Sequence, residues 1–229
     1  MSTQCDRANP HNGRWVPPTD GGAHVKTDHA KQGDGPPSPF LYSGFGDSAI
    51  MLSGATETLD DTCDGVRLRP FRAGDAAALQ TICAGWRMAR MTSRIPHPYP
   101  ARAAPRRIAE REALAESGRG ISFCLDSGGL MTGAVTLRHQ GHRRYELGYS
   151  NGDTEGQGFA TAAAQQASGY AFAALSAKSV CVRHYFDNPA SQRVLEKCSF
   201  RYTGSDWQWC QARQQLVPCR RYLLQAAGA

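Results

Sequence analysis

The sequence predicts a mixed α/β domain (an α+β mixed sheet) whose strands are antiparallel except for one central parallel pair. Two regions, residues 121–149 and 200–224, contain short apolar runs separated by turn residues, which is typical of antiparallel strands. Residues 143–186 predict strand, helix and strand, an order that requires a right-handed parallel crossover. A hydrophobic content of 41% in 229 residues is enough for a sizeable core.

The composition of the chain changes near residue 64. Residues 1–64 contain Pro-Pro and Gly-Gly pairs, little apolar periodicity, and four Lys or Arg against nine Asp or Glu. Such a segment buries too little apolar surface to offset the entropy lost on ordering. We therefore predict a disordered, low-complexity extension over 1–64 and one folded domain over 65–226. A translation start at Met51 is an alternative that the sequence leaves open.

Charge and cysteine content limit the class of protein. The net charge is +6, and residues from Gly65 onward carry 22 Lys or Arg against 11 Asp or Glu. This excess fits either solubility or the attraction of a polyanionic ligand, and no motif with interleaved aromatics indicates a specific nucleic acid. The sequence contains no run of about 18 apolar residues, so no membrane span is predicted. The eight cysteines form no CxxC pair and no metal-ligand spacing with histidine, so we expect a cytoplasmic protein without a metal.

The first strand of the domain is predicted at residues 66–71, where apolar and basic residues alternate. Asp75 follows at a position where it can cap a helix. Three prolines within residues 96–100 exclude a helix there, so residues 95–100 are predicted to be extended. Helices are predicted on either side of this segment: one over residues 76–83 that continues over 86–92, and one over 104–117.

The middle of the chain predicts an antiparallel meander with strands at residues 121–126, 130–139 and 143–149. Gly133 lies inside the second of these strands and indicates a bulge or a bend. The next element is an alanine-rich helix over residues 158–175, since alanine has the highest helix propensity. Its predicted buried stripe consists of Phe159, Ala163, Ala167, Tyr170 and Ala174.

The last third of the domain begins with a β-branched and aromatic run at residues 179–186, which predicts the strand parallel to residues 143–149. Asn188 is a favourable N-cap and Pro189 a favourable first residue for the helix that follows. Two antiparallel strands, residues 200–210 and 216–224, complete the domain.

The loop between Tyr149 and Phe159 contains a Gly-Gln-Gly sequence immediately before the alanine-rich helix. Free backbone N–H groups at a helix N-terminus form an anion site, and glycine lets a ligand approach the backbone closely. The spacing matches neither the dinucleotide fingerprint nor the P-loop, because the third glycine and the Gly-Lys-Ser/Thr sequence are missing. The loop is therefore a candidate pyrophosphate site of another kind.

These features together resemble the GNAT family of N-acetyltransferases, in particular the branch of the ribosomal-protein N-terminal (alanine/serine) acetyltransferases. The resemblance covers about residues 66–224, and its motifs are VRLRPF with the following GD, IPHPYP, ELGY, GQGFAT and DNPASQRVLEKCSFRYTG. It implies the GNAT fold, with about seven mostly antiparallel strands and four helices. In this fold the sheet is splayed open between the strands containing ELGY and SVCVRHYF, and acetyl-CoA lies in the gap.

The resemblance also implies a set of residues that contact acetyl-CoA. The pyrophosphate would accept hydrogen bonds from the glycine loop, Gly156, Gln157, Gly158, Phe159, Ala160 and Thr161. The pantetheine arm would pair like an added strand with Leu147, Gly148 and Tyr149. Asn188 would hold the arm, Ser191 would reach the thioester sulfur, and Arg193 and Lys197 are candidates for an outer phosphate.

The implied reaction is direct attack of an amine on the thioester. Glu146 is the candidate base, acting directly or through water. The alternative is that Glu146 has no catalytic role and is an exposed carboxylate paired with Arg143 or Arg144. Ser191 is the candidate acid toward the leaving thiolate, and its alternative is a serine that only caps a helix. The competing acids are Tyr149, Tyr185 and Tyr202.

The amine acceptor is predicted to be a protein N-terminus or a small molecule. Residues 86–100 and 211–215 would form its wall, with Trp86, His97, Tyr99 and Trp209 as aromatic contacts, although each of these side chains fits a packing role equally well. The sequence is compatible with a monomer or a homodimer.

Three residues depart from the family pattern. Asp153 replaces an Arg or Gln, Glu155 replaces an aromatic residue, and Ser199 replaces the glycine that ends the last helix in a left-handed conformation. Two carboxylates beside a pyrophosphate oppose its binding. The alternative function is therefore a non-catalytic GNAT-fold module that binds CoA, another ligand or a protein partner.

Overall fold

The computed structural model of the protein describes residues 59–63, 65–152, 154 and 156–226. Within these residues the strands are β1 (Leu59–Cys63), β2 (Val66–Arg69), β3 (Gly120–Ser127), β4 (Leu130–His139), β5 (Arg144–Asn151), β6 (Ser179–Tyr185), β7 (Arg201–Cys210) and β8 (Gln215–Gln225). They form one sheet in the order β1-β2-β3-β4-β5-β6-β8-β7. Neighbouring strands are antiparallel except β5 and β6, which are parallel. The predicted mixed sheet is confirmed.

Strand β1 lies in the stretch 1–64 that the sequence predicted to be disordered, and it raises the strand number from seven to eight. Its pairing with β2 joins Cys63 to Val66 and leaves two residues between them. These are Asp-Gly, a favoured hairpin sequence, and Gly65 has a φ of +73°. The hairpin covers the outer edge of β2, so the folded domain begins earlier than residue 65. The remainder of that prediction, residues 1–58 and 64, lies outside the described residues.

The described chain contains five α-helices instead of four: α1 (Ala76–Ala84), α2 (Trp86–Ala89), α3 (Ala103–Glu116), α4 (Phe159–Ala173) and α5 (Pro189–Lys197). The additional helix arises because Gly85 is extended, with φ −68° and ψ 126°, and separates α1 from α2. None of the described helices is both long enough and apolar enough to cross a lipid bilayer.

Helices α1, α2 and α3 lie on one face of the sheet, which we call the α3 face. Ala134 of β4 and Cys124 of β3 point toward these helices and share a buried cluster with Leu79 and Ile108. Because side chains alternate along a strand, the neighbouring residues of β3 and β4 point to the opposite face. The α3 face therefore carries every second residue of the central strands.

Helix α4 covers the opposite face, which we call the α4 face. The predicted stripe is confirmed at Ala163 and Ala167, which are buried against Val135 and Leu147 of the sheet. Ala174 was predicted to be buried, but α4 ends at Ala173 and Ala174 is exposed. The small alanine side chains let the helix lie close to the strands.

Gly133 lies beside an irregularity in the pairing of β3 with β4. Leu125 pairs with Gly133, but the next residue, Asp126, pairs with Met131, so Thr132 is an extra residue in β4. This confirms the predicted bulge. A Cβ atom at Gly133 would overlap the carbonyl oxygen of Ser150 on β5, so only glycine allows the strands to approach this closely here.

The parallel pair β5–β6 is short. Only three residue pairs are in register, and the last of them is Glu146 with Cys181. Strand β5 continues to Asn151 and β6 to Tyr185, so the two strands diverge beyond this point. The sheet is open between them, as the family resemblance implied.

The last helix follows β6 directly. Asn188 caps it, because its side-chain oxygen accepts a hydrogen bond from the amide of Ser191, and Pro189 is its first residue, as predicted. Leu195 and Cys198 are buried and Val194 is partly buried, also as predicted. Ser199 has a φ of +61°, the left-handed conformation expected at the end of this helix.

A buried ion network connects β2, β3 and the start of α1. The Nε of Arg69 donates to Asp126 at 2.5 Å, and its two terminal nitrogens donate to Asp75 at 2.8 Å each. The carboxylate of Asp75 also accepts a hydrogen bond from the amide of Arg72. Asp75 precedes α1 as predicted, but its side chain makes no hydrogen bond to the helix and binds Arg69 instead.

Candidate active site

The opening between β5 and β6 is the centre of a cleft of about 810 Å³. The walls of the cleft are the diverging strands, the N-terminal ends of α4 and α5, and the α1–α3 region. Most of the predicted site residues line it, namely Glu146, Leu147, Gly148, Tyr149, Gly156, Gly158, Phe159, Ala160, Thr161, Asn188, Ser191 and Arg193. Two N-terminal helix ends and one open strand edge therefore meet in one place.

Strand alternation divides the site residues between the two faces of the sheet. Leu147 and Tyr149 pack with the cluster under α4. Glu146 and Gly148 alternate with them and so belong to the α3 face. Arg183 of β6 contacts Glu146, which puts it on the same face. A molecule that passes through the gap would reach Tyr149 from one side of the sheet and Glu146 from the other.

Glu146 is held by neighbours on both sides. Arg183 donates to its carboxylate at 3.1 Å, and the amide of Gln140 lies 3.4 Å from its other oxygen. The expected alternative partners were Arg143 and Arg144, but the side chain of Arg143 donates to the carbonyl of Ser176. The pairing with Arg183 follows from the register, in which Glu146 lies opposite Cys181 at the point where the gap begins.

On the α4 face, the hydroxyl groups of Tyr149 and Ser191 are 2.6 Å apart. The amide of Ser191 donates to Asn188, so the start of α5 fixes the serine. Burial raises the pKa of Tyr149, and the hydrogen bond to Ser191 only partly opposes this effect. Tyr149 is therefore protonated at neutral pH, and the two hydroxyls form a short proton-donating pair at the cleft.

The other two candidate tyrosines have different surroundings. Tyr185 lines the cleft, but its hydroxyl lies 3.3 Å from the carbonyl of Trp209 and its side chain is buried. Tyr202 is 56% exposed and its hydroxyl contacts Ser205, outside the cleft. Among the three tyrosines, Tyr149 is the one that shares a hydrogen bond with Ser191.

The glycine loop presents backbone amides to the cleft. Gly156 and Gly158 both have a φ of +83°, a backbone conformation that residues other than glycine rarely adopt. Within the described residues, the amides of Gly158, Phe159 and Ala160 have no hydrogen-bond partner.

Two of the predicted loop amides already have acceptors. The amide of Thr161 donates to the carbonyl of Gly158 at 2.8 Å, and that of Gln157 donates weakly to Thr154 at 3.4 Å. The side chain of Gln157 is exposed, and Gln157 does not line the cleft. Asp153 and Glu155, which were predicted to oppose an anion, lie outside the described residues.

The predicted acceptor wall contributes to the cleft through other side chains than those expected. Trp86 is 47% exposed and lies 5.1 Å from the ring of His97, and neither lines the cleft. Tyr99 packs against the cluster of α1 and α3, and Trp209 is also absent from the lining. The predicted wall segment, residues 86–100, instead lines the cleft with Arg87, Met88 and residues 90–95.

The cleft also contains basic residues that were not predicted. Nine basic and three acidic side chains line the part of it that the structure describes. Arg183 is one of these, and the available signal was a charged residue within a mostly apolar central strand. Arg107 and Arg111 are four residues apart on α3 and so lie on one face of that helix, but Arg94 and Arg138 come from other segments, and no local sequence pattern relates them to this pair. Over the described residues, His, Cys, Asp and Glu form no group of three or more that could hold a metal ion.

Comparison with known proteins identifies the family of the chain. A family model described as an acetyltransferase (GNAT) domain matches residues 66–201. No curated protein sequence matches the chain.

The fold is similar to several solved structures. RimJ of Mycobacterium smegmatis, in complex with CoA-disulfide, has a TM-score of 0.64 and 23% identity, over 71% of this chain and 82% of that one. RimL, a ribosomal L7/L12 alpha-N-protein acetyltransferase in complex with CoA, has a TM-score of 0.64 and 14% identity, over 72% and 96%. Spermidine N-acetyltransferase of Vibrio cholerae, in complex with CoA and spermine, has a TM-score of 0.61 and 17% identity, over 72% and 98%. At these identities the likeness establishes the fold.

Proposed function

The chain belongs to the acetyltransferase (GNAT) domain family, and from this membership we propose that it transfers an acetyl group from acetyl-CoA to a primary amine by direct attack. The observation that carries the proposal is the gap between β5 and β6, where only three residue pairs join the parallel strands. A carboxylate on one face of the sheet and a hydroxyl pair on the other both lie at the gap, and they can serve as general base and general acid for acyl transfer to an amine.

The residues at the gap fit acetyl-CoA. The amides of Gly158, Phe159 and Ala160 at the start of α4, which have no acceptor among the described residues, are suited to bind its pyrophosphate. The open edge at Leu147–Tyr149 is suited to the amides of the pantetheine arm. Arg193 and Lys197 of α5 line the same cleft and can contribute positive charge to an outer phosphate. When bound, acetyl-CoA supplies an acetyl group activated as a thioester.

Glu146 is the proposed general base. It lies at the last paired position of β5, directly before the gap, and Arg183 and Gln140 orient its carboxylate. An amine arrives largely protonated at neutral pH and must lose a proton before it can attack. Glu146 takes this proton, either directly or through a water molecule.

The Tyr149–Ser191 pair is the proposed general acid. A thiolate leaves when the C–S bond breaks, and it needs a proton. Because burial raises the pKa of Tyr149, the tyrosine retains a proton to donate at neutral pH. Ser191, 2.6 Å from it, either relays this proton or donates its own and is reprotonated by Tyr149.

A thermal-shift titration with acetyl-CoA and an assay of CoA release with a panel of amines test the proposal. We expect acetyl-CoA at a hundred times its Kd to stabilise the protein by about 2.7 kcal/mol. Glu146→Gln should retain this shift and lose about 10²-fold to 10⁴-fold in kcat, because the base contributes to the chemical step. Glu116→Gln, an exposed residue at the end of α3, is the matched control and should behave as the wild type.

The two readouts separate the possible results. If millimolar acetyl-CoA produces no shift, the proposal fails. If acetyl-CoA binds but no amine in a panel of peptides, polyamines, amino acids and aminoglycosides is acetylated, the protein is a non-catalytic binding module. Unchanged turnover in Glu146→Gln would remove Glu146 from the role of base.

A further inference from the structure

Four arginines converge on the α3 face of the cleft, where the amine acceptor would enter. Arg94 precedes α3, Arg107 and Arg111 lie on α3, and Arg138 lies on β4, and all four line the cleft. Their charges act on one another: burial is the largest cause that lowers the pKa of Arg138, and repulsion from the other three arginines lowers it further. The cluster therefore carries a concentrated positive charge that the acetyl transfer described above does not use.

Arg111 is the most enclosed member of the cluster. Its Nη1 atom is buried and has no hydrogen-bond partner within the part of the chain that the structure describes. Its guanidinium lies 4.5 Å above the ring of Phe71, which supports one side of it. Burial, with repulsion from Arg107, lowers its pKa to about 10. Arg111 is thus still charged at neutral pH, and a buried charged donor without an acceptor is costly.

Arg138 lies directly beside the proposed base. It is paired across β4 and β5 with Glu146, so both side chains are on the α3 face. Burial and the neighbouring arginines lower its pKa to about 10, and Glu146 opposes this effect. The carboxylate of Glu146 is nevertheless in contact with Arg183, at 3.1 Å.

The carboxylates close to the cluster do not neutralise it. Glu110 interacts with Arg106 at 3.3 Å and with Arg107 at 3.8 Å, and about half of its side chain is exposed. Among the described residues, no carboxylate lies within ion-pair distance of Arg111 or Arg138. An anion supplied from outside would satisfy both guanidinium groups.

We propose that Arg111 and Arg138, with Arg94 and Arg107 at the rim, bind a carboxylate of the acceptor, so that the substrate is an amine carrying a nearby carboxylate. The inference rests on the proposed acetyl transfer and names its substrate class. Residues paired across two strands have Cβ atoms about 4.5–5.5 Å apart, so an amine at Glu146 and a carboxylate at Arg138 are only a few ångströms from each other. A free amino acid, through its α-carboxylate, and a peptide with an N-terminal acidic residue, through its side chain, both have this spacing.

The position of the cluster argues against two other occupants. The phosphates of acetyl-CoA are proposed to bind at the starts of α4 and α5, on the other side of the gap, where Arg193 and Lys197 line the cleft. A polyamine carries several positive charges, and the four arginines would repel it. The site therefore selects an anionic acceptor over a polycationic one.

The test compares matched acceptors that differ only in the carboxylate. Acetyl transfer is measured for two peptides identical except for an N-terminal Glu or Gln, for free glutamine and its α-amide, which differ only in the α-carboxylate, and for spermidine. We expect kcat/KM for the Glu peptide over the Gln peptide, for free glutamine over its α-amide, or for both pairs to be higher by at least tenfold, and the ratio to fall as salt increases. The pair with the larger ratio identifies the source of the carboxylate.

Three variants assign the preference to the cluster. Arg138→Met and Arg111→Met should reduce the ratio to about one while the Kd of acetyl-CoA stays unchanged. Arg106→Met is the matched control, since Arg106 lies on the same helix with 83% of its side chain exposed and should preserve the ratio. If burial of a methionine at position 111 prevents folding, Arg138→Met alone decides.

Equal kcat/KM values for the acidic and amide acceptors, or a preference for spermidine, would overturn the inference and leave the acetyl transfer intact. If no amine is acetylated, the proposed function fails. The carboxylate site is then tested by measuring the binding of the Glu and Gln peptides to the protein by calorimetry. Tighter binding of the Glu peptide that is lost in Arg138→Met then supports the carboxylate site, and equal binding refutes it.

Discussion

At the scale of single residues, the proposed chemistry depends on two hydroxyl groups that come from distant parts of the chain. Tyr149 is the last residue of the open edge Leu147–Tyr149 on β5, and Ser191 lies in the first turn of α5. Their hydrogen bond of 2.6 Å makes them one unit, because neither hydroxyl can change its proton without affecting the other. Substitutions at the two positions should therefore not be additive.

A double-mutant cycle tests this unit. Tyr149→Phe and Ser191→Ala should each lower kcat about 10²-fold, and the double variant should lose little more than either single variant. Kinetics with the best acceptor, measured with saturating acetyl-CoA, provide the values. Tyr202→Phe is the control, since its hydroxyl contacts Ser205 outside the cleft, and it should leave kcat unchanged. Multiplicative losses in the double variant would mean that the two hydroxyls act separately.

Individual residues were predictable where a local rule applied. Asn188-Pro189 is a helix start in any context, so the cap on Ser191 was predicted correctly. The left-handed conformation of Ser199 was also expected from its place after the helix. The partner of Glu146 was not predictable, because Arg183 reaches it through the register of a parallel pair 37 residues apart in the chain. The arginine cluster was missed because only the tertiary fold brings Arg94, α3 and Arg138 of β4 together.

At the scale of elements, the open segment of β5 decides whether a ligand can enter. Gly148 lies in this segment, on the α3 face, and a Cβ atom added to it would meet no atom within 4 Å. A glycine inside a strand often marks a place where a ligand comes close to the backbone. The free space at Gly148 therefore belongs to the cleft and not to the core.

Gly148→Leu should fill this space without disturbing the fold. We expect the midpoint of thermal unfolding of the free protein to stay within a few degrees of the wild type, whereas the stabilisation by acetyl-CoA and the acetyl transfer should both be lost. Gly133→Leu is the contrasting variant, because its side chain would overlap the backbone of β5 and destabilise the free protein. Normal acetyl-CoA binding by Gly148→Leu would show that the ligand does not pass over this position.

The elements were predicted well where periodicity was strong, as in β4, where the predicted and observed bounds agree. Short elements were harder to predict. Strand β1 has only five residues and follows a polar segment, although the Asp-Gly sequence after it was a usable hairpin signal. The separation of α1 from α2 depends on the extended backbone of Gly85, which tertiary packing determines and a helical pattern does not reveal.

At the scale of the whole molecule, the Arg69 network joins the sheet to the helices of the α3 face. Burial opposes ionisation of Asp75 and Asp126, but their hydrogen bonds to Arg69 outweigh it, so the pKa of each carboxyl is lowered. The same two carboxylates raise the pKa of Arg69, against the effect of its burial. Since all three side chains are almost inaccessible to solvent, each one needs the others in the folded state.

The lowered pKa values predict acid sensitivity. The folded state binds fewer protons at Asp75 and Asp126 than the unfolded state, so the stabilisation is fully present above the unfolded-state pKa of about 4 and is lost as the pH falls through the folded-state values. We expect the free energy of unfolding, measured with urea between pH 7 and pH 3, to decrease below about pH 4. Arg69→Met should cost about 3–5 kcal/mol at pH 7, because it leaves two buried carboxylates without their partner.

The acid dependence itself provides the control. The difference between Arg69→Met and the wild type should shrink as the pH falls, since protonated carboxyl groups need no cation. Arg106→Met, which removes only an exposed pair on α3, should follow the wild type at every pH. A constant difference between Arg69→Met and the wild type would mean that the arginine stabilises the fold through packing alone.

The gap between β5 and β6 has one more consequence, which concerns association of the protein with itself. An ordinary sheet has two outer edges, whereas this one has two more inside it, where β5 and β6 leave backbone groups unpaired beyond Glu146 and Cys181. Unpaired strand edges are templates for pairing with another chain and so for aggregation. Here the inner edges are short, and charged side chains such as Glu146 and Arg183 lie beside them. The same backbone must thus stay open to a small ligand and closed to a neighbouring polypeptide, and we expect a bound ligand to cover these edges.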